Sequence, residues 1–529
     1  MWTTGWRERA WSQLDQPWDL VVIGGGITGA GIFREASRLG LRALLVEAHD
    51  FASGTSSRSS KLVHGGLRYL KNAQLKITLE SVSERDRLLS QGKGLINRLG
   101  FLFASLQGDP LPGWVFGLGL VVYDLMARQW THRRYDVEDL RELCPPLTAP
   151  ALLGGYRYFD AQTDDARLVL RLLREAVAAG GLALNYARAD GLLRSRDQQV
   201  RGVLLSDLAH PDGPRSLEVQ ARAVVNAAGA WADGLRRAGK LRLRPLRGSH
   251  LVFPASRLPI SRAVSLMHPR DGRPVFALPW EGVALLGTTD VDHTHPLETN
   301  PAISAQEAEY LLAAAQAAFP GQALAFADVQ ATFSGIRPVV DTGKADPSKE
   351  SREHVLWMED GLLTVSGGKL TTFRLMARDA LRALRPRLPS LAGFDPAQPV
   401  LDPPPPAAEA LFSAGPLKPA ARLRLLGRYA ADAPRLLQAG RPGELEPIAA
   451  GPCLWAELRW AARAEGVVHL DDLLLRRVRL GLLLPQGGAD HLERVREICQ
   501  AELGWDDARW SQEALAYLGL WQRCYNLPG

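Results

Sequence analysis

A short apolar strand running straight into a glycine turn constrains this chain more than any other feature. Residues 19–31 read DLVVIGGGITGAG, with residues 20–23 as the strand. Gly24, Gly26 and Gly29 keep the G-x-G-x-x-G spacing, and each has its own task. Gly24 permits the tight turn, Gly26 lets a pyrophosphate approach the backbone, and Gly29 lets the following helix pack close to the strand. The helix N-terminus then offers its unpaired N–H groups to the phosphates. A second apolar strand, 43–46, ends in Glu47, placed where a carboxylate accepts hydrogen bonds from an adenosine ribose. The pattern predicts dinucleotide binding, and the acid argues against an NADP 2′-phosphate.

A chain of 529 residues can bury a large core and predicts two or three domains. Its 46% apolar and 23% charged residues are those of an ordinary globular protein. A net charge of +6 suits anionic substrates, an anionic membrane surface or nucleic acid. The absence of lysine-rich tracts and of an aromatic-and-basic ladder argues against nucleic acid. Cys144, Cys453, Cys499 and Cys524 are widely spaced and form no C-x-x-C pair. This argues against a disulfide framework or a metal site and for a reducing compartment. The N-terminal residues lack the apolar core of a signal peptide, so the expected location is cytoplasmic. The apolar stretch 111–127 contains Pro112, three glycines and Asp124, too short and interrupted for a membrane span. It reads as a buried helix or loop, with a membrane-dipping segment as the other reading; peripheral attachment to a membrane face stays open.

Along the chain, helical periodicity at 71–91 puts Leu75, Leu79, Val82 and Leu89 on one predicted apolar face. Thr163, Asp164 and Asp165 supply capping chemistry for a second helix, with Leu168, Leu172, Ala176 and Val177 facing a core. Strand-like runs at 250–253, 275–278 and 283–289 predict a mainly antiparallel sheet in the middle of the chain. The run DPPPP at 402–406 is a stiff linker, and the Ala-, Leu- and Arg-rich remainder predicts a separate helical domain. Arg476, Arg477 and Arg479 fall on one helix there, read as a solvated face rather than a lipid-facing one.

Two further segments bear on the cofactor. Residues 224–229, VVNAAG, form an apolar strand ending in a small-residue turn at Ala228 and Gly229. A strand at 362–365 is followed by SGGKLTT, a second glycine turn (Gly367, Gly368, Lys369, Leu370, Thr371) leading into a helix. A binding half at the front and a supporting turn at the back fit a flavin dinucleotide better than NAD.

The run 54–70, GTSSRSSKLVHGGLRYL, together with GSH (248–250), GTTD (287–290), SGIRP (334–338) and GGKLTT (367–372), resembles FAD-dependent glycerol-3-phosphate dehydrogenase. The likeness spans residues 18 to about 390 with the motifs in the same order, and continues more weakly at 457–459 and 471–477. It implies an α/β fold: a Rossmann-like FAD-binding domain of the glutathione-reductase/amino-acid-oxidase type, a mainly antiparallel β substrate domain and a C-terminal α-helical domain. The expected division is 1–90, 155–240 and 336–398 for FAD, 91–154 and 241–335 for the substrate cap, and 407–529 for the helices. FAD contacts are implied for Thr55, Ser56, Ser57, Ser60, Lys61, His64, Gly65 and Gly66 as well as for the two glycine turns. The implied reaction oxidises sn-glycerol 3-phosphate to dihydroxyacetone phosphate and passes electrons to a membrane quinone. An oxidase using O2 is the near alternative, and an amine or amino-acid oxidase the distant one. A homodimer is the default assembly.

Oxidising a secondary alcohol on a flavin requires a hydride donor carbon at N5, a base for the hydroxyl proton and a grip on the anionic end. Planar guanidinium forks match a phosphate dianion. The resemblance nominates Arg68, Arg337 and Arg352 for that grip, and Arg337, between Gly335 and Pro338, has the least ordinary setting. His64 and His250 are the candidate bases, with His250 preferred as base or oxygen partner and His64 shaping the pocket. Tyr69 is either a substrate hydrogen-bond donor or a packing residue. Lys369 would set positive charge near the flavin pyrimidine edge, favouring the reduced ring.

Overall fold

The structure is a computed structural model that describes residues 2–67, 74–109, 112–210, 213–236, 242–343, 350, 353–391, 393–414 and 417–528. Two sheets organise it. In the first, the neighbours run Val355–Glu359, Leu362–Ser366, Arg215–Asn226, Trp18–Ile23, Ala43–Val46, Leu182–Leu184. All are parallel except the first, edge pair. Apart from Asp19 the central strands are apolar, because helices cover one face of the sheet, and the helix Trp6–Trp11 with the strand Val200–Asp207 covers the other. Ile23 is level with both Val46 and Asn226, so the Gly24 turn, Glu47 and the Ala227–Gly229 turn emerge at one end. That is the carboxyl end of a parallel sheet, where α/β folds bind ligands.

The helix Ile27–Arg38 leaves the glycine turn and packs beside Asp165–Ala178 and Phe373–Ala383. Asp164 caps the second of these by accepting from the Arg167 amide at 3.2 Å. Leu168, Leu172 and Ala176 are buried as predicted, while Val177 is half-buried. The predicted face on Leu75–Gln91 is only partly right: Val82 is buried and Leu89 half-buried, but Leu75 and Leu79 are exposed.

The second sheet is antiparallel apart from the pair Ala263–Met267 and Ile96–Leu106. Its strands Leu243–Pro254 and Ala331–Val340 pair along ten positions, from Leu243↔Val340 to Val252↔Ala331. The cap sheet therefore takes residues 331–340 whole, and also takes Leu152–Thr163, so its borders lie beyond the expected 335 and 154. The pairing, not the position of a motif, decides where the sheet ends. Helices dominate from Pro406 onward, and Leu458, Leu473 and Trp521 join one core with Trp280 and Phe333 of the second sheet. Among the described residues, no helix is long and apolar enough to cross a membrane.

Candidate active site

One cavity of about 1330 Å³ runs between the two sheets. Its walls contain Gly24, Gly26, Glu47, Thr55, Ser56, Ser60, His64, Gly66, Ala228, Gly229, Gly367, Gly368, Lys369, Leu370 and Thr371. Gly24 sits at φ +112°, and a Cβ there would stand 2.5 Å from the Ala227 carbonyl oxygen. A Cβ on Gly29 would stand 1.9 Å from the Gly24 carbonyl oxygen, so helix and strand touch there and only glycine fits. Gly26 is the N-cap of Ile27–Arg38, has no side-chain cap of its own, and leaves the helix end open to the cavity. The Ile27 amide donates to Ser56 Oγ at 2.9 Å, which ties the serine-rich loop to that end.

Glu47 is half-buried at the cavity wall. Its Oε2 accepts from the Gly25 amide at 2.7 Å and its Oε1 from the His49 amide at 2.9 Å. Burial pushes its carboxyl upward while those two amides pull it down. These features fit the pyrophosphate and adenosine of a dinucleotide: an uncapped helix end, a backbone without Cβ atoms and a fixed carboxylate.

At the other end of the cavity the three downstream motifs meet on the second sheet. His250 pairs with Gly287 on one side and Phe333 on the other, and Leu246 pairs with Arg337. Arg337 points one nitrogen to Asp290 Oδ1 at 3.1 Å and another to Thr288 Oγ1 at 3.0 Å. Arg273, also on the wall, reaches the same Asp290 carboxylate at 3.3 Å. Two guanidiniums are thus held on a single carboxylate facing the cavity. Lys369 Nζ donates to Ser81 Oγ at 2.9 Å, at the cavity wall.

His250 is not on the wall. Its Nε2 lies 2.8 Å from Ser60 Oγ, its ring stacks on Phe333, and Ser60 stands between it and the cavity. Burial, then the Arg337 and Lys61 charges, hold its pKa well below the usual histidine value. His64 does line the cavity, its backbone tied to Thr371 Oγ1.

Four further nominated residues do not reach the cavity wall. The Lys61 amine is buried and binds the Ser57 carbonyl at 2.6 Å and Asp165 at 2.9 Å, away from the cavity. Burial first, and then Arg479, bring its pKa down to about 7. Ser57 supplies that carbonyl rather than a wall, and Gly65 lies behind the wall, where a Cβ would meet Tyr123 Oη at 2.1 Å. Gly29 is likewise a packing residue. Arg68, Tyr69 and Arg352 lie outside the described residues.

Sequence reasoning assigned no task to Asp290 and Thr288, although the GTTD motif marked them. It also missed Asp160, whose carboxylate accepts from the Gly65 amide at 3.0 Å and Arg85 at 3.2 Å. Burial pushes Asp160 up to about 6. No local pattern announces it, because its partners come from other elements. The stretch 111–127 is not a buried helix: Gly113–Ala127 buries Gly117, Leu120, Tyr123 and Asp124, but exposes Trp114, Leu118, Val122 and Leu125.

Residues 19–383 match the family described as FAD dependent oxidoreductase, and 404–510 match the C-terminal domain of alpha-glycerophosphate oxidase. The chain is 37% identical over 382 residues to the aerobic glycerol-3-phosphate dehydrogenase of Staphylococcus haemolyticus, covering 71% of this chain and 68% of that one. With the Staphylococcus aureus protein of the same name the identity is 37% over 379 residues, covering 70% and 67%. The crystal structure of Bacillus halodurans glycerol-3-phosphate dehydrogenase complexed with FAD superposes with a TM-score of 0.79 at 27% identity, covering 99% and 98%. The FAD-bound L-alpha-glycerophosphate oxidase of Mycoplasma pneumoniae shares the fold, with a TM-score of 0.55 at 19% identity over 70% and 95%.

Proposed function

We propose, from the premise that this chain belongs to the family of FAD-dependent oxidoreductases, that it oxidises sn-glycerol 3-phosphate to dihydroxyacetone phosphate and delivers the electrons to a membrane quinone. The observation that carries this reading is the guanidinium pair at one end of a cavity whose other end is a dinucleotide cradle. A phosphate dianion can take the place of Asp290 as partner of Arg337 and Arg273. A simple amine would have no use for that pair, and an amino-acid carboxylate, with a single negative charge, needs one guanidinium fork where a phosphate dianion engages two. FAD, when bound, accepts the hydride from the alcohol carbon. The hydroxyl proton must leave to a base.

His250 is kept neutral by its burial and by Arg337, and it reaches the cavity through Ser60 Oγ. A bound phosphate screens Arg337 and so raises His250 basicity at the moment the substrate arrives. His64, on the wall itself, is the alternative base. Lys369, also on the wall, adds positive charge where negative charge collects on reduction.

A lipid surface as the site of electron delivery is supported by the helix Gly113–Ala127. Trp114, Leu118, Val122 and Leu125 form one stripe at helical spacing, 64%, 58%, 40% and 65% exposed. Leu75 and Leu79 are exposed on the helix that packs against this one, Trp130 is exposed just after it, and exposed Lys76, Arg128, Arg133 and Arg134 add positive charge to the same part of the chain. Val115, Phe116, Leu118, Gly119 and Val122 also line the cavity, so its apolar flank opens beside the stripe.

The test measures turnover of glycerol 3-phosphate with anionic vesicles carrying quinone, alongside peroxide release in air. Quinone reduction with background peroxide is expected. The Trp114→Ser/Leu125→Ser variant should keep dye-coupled activity but lose about tenfold or more of the vesicle-coupled rate, since each buried apolar side chain contributes about 1.5–3 kcal/mol. Stoichiometric peroxide would instead make oxygen the acceptor, and an unaltered vesicle rate would remove the stripe from the lipid surface.

A further inference from the structure

Arg476, Arg477 and Arg479, expected on a solvated face, are buried, and Arg477 is fully enclosed. Leu473–Arg477 is a π-helical turn, a form often found at functional sites. It directs two consecutive arginines at one carboxylate. Arg477 holds Asp50 with two nitrogens at 2.6 and 2.8 Å, and Arg476 Nε meets the same carboxylate at 2.5 Å. Asn185 Nδ2 adds a fourth donor at 3.0 Å. Together the two guanidiniums hold Asp50 down at about 2, against the burial that would raise it.

Asp50 sits in the loop that carries Glu47. On its cavity side that loop is tied to the glycine turn by Gly25 N–Glu47 Oε2 at 2.7 Å and Ala52 N–Gly25 O at 3.0 Å. On its far side Tyr186 N donates to His49 O at 2.8 Å, and Tyr186 Oη donates to Asp472 at 2.6 Å. The loop is therefore suspended between the glycine turn and the helical domain. A buried ion pair is a poor source of net stability, because desolvation consumes its Coulomb gain. A bidentate pair does fix direction.

We infer that the C-terminal helical domain completes the cofactor site: Arg476 and Arg477 are positioning residues that hold Glu47 to the adenosine ribose through Asp50. The inference rests on reading the cavity as an FAD site, and is independent of the substrate and the acceptor. It makes the last fifth of the chain a determinant of cofactor affinity.

Apoprotein of the Asp50→Asn/Arg477→Gln variant, an uncharged pair, should bind FAD about 10- to 100-fold more weakly, the worth of one charge-assisted hydrogen bond. ADP should lose the same factor, because the loop meets the adenosine half. Saturated with FAD, the variant should keep the flavin reduction potential and the KM for glycerol 3-phosphate. Adding Glu47→Gln should cost much less affinity in the variant than in the wild type, a non-additivity that a mere stabilising role would not produce. If the double variant does not fold, Arg477→Lys keeps the charge and should give a smaller loss of FAD and ADP affinity. Unchanged FAD affinity in a folded variant, additive losses with Glu47→Gln, or potential and KM shifting together with affinity would each overturn the inference. Failure of the wild-type apoprotein to bind FAD would instead remove the cofactor reading itself.

Discussion

Arg337→Ala is expected to lower kcat/KM for glycerol 3-phosphate by about 10²- to 10⁴-fold while FAD content stays at the wild-type level. Two charge-assisted hydrogen bonds to phosphate, at about 1.5–3 kcal/mol each, set that scale. The loss should not come from misfolding. Arg337 sits at the cavity wall with its side chain 23% exposed, and Asp290 keeps Arg273 as partner when Arg337 is gone. Both constants should move, because a substrate held by Arg273 alone would present its alcohol carbon less accurately to the flavin. Arg337→Lys should recover only part of the activity, since an ammonium cannot reproduce the fork that reaches Thr288 and Asp290 together. Steady-state kinetics on the purified variant, with flavin absorbance as control, check this. Wild-type constants would take Arg337 out of the substrate site.

Gly29→Ala should act at the opposite end, abolishing FAD retention outright. The added Cβ would lie 1.9 Å from the Gly24 carbonyl oxygen and 3.4 Å from Val22 Cγ1. The first contact is with backbone, which cannot swing aside as a side chain would. The helix Ile27–Arg38 must then lift from the strand Trp18–Ile23, carrying its open N-terminus away from the phosphates. Overpacking of this kind costs about 1–3 kcal/mol, and displacement of the phosphate contacts adds to it. Flavin-to-protein ratio after purification and after reconstitution is the measurement. A yellow, stoichiometrically loaded variant would show that the close approach is not needed for binding.

Much of this site was legible because its chemistry is local in the chain. A tight turn, an uncapped helix end and a strand ending in an acid are each written in a few adjacent residues, as at Gly24–Gly29 and Glu47. The second turn at 366–372 was legible for the same reason. What stayed hidden depends on partners brought from afar. Lys61 sits within the run of cofactor-loop residues, yet its amine turns inward because Asp165 and the Ser57 carbonyl await it. Arg476 and Asp50 are 426 positions apart, so three arginines on one helix read as solvent-facing until the fold supplies their carboxylates.

Hydropathy misled in the opposite direction. The stretch 111–127 is apolar enough to read as core, but Gly117, Leu120, Tyr123 and Asp124 already fill the space against the cap sheet, and the remaining apolar side chains face outward. Leu75 and Leu79 follow the same logic on the neighbouring helix. His250 shows a subtler limit: the motif marks the right strand, but only the three-dimensional arrangement places Ser60 between the imidazole and the cavity.

The reaction requires glycerol 3-phosphate to give up its hydride inside this cavity. Anaerobic titration of the FAD-loaded protein, followed at the flavin absorbance band, tests it most directly. Stoichiometric bleaching by glycerol 3-phosphate is expected, with slow or absent bleaching by glycerol and by glycine, and return of colour on adding a soluble quinone. A flavin that glycine bleaches and glycerol 3-phosphate leaves oxidised would contradict it.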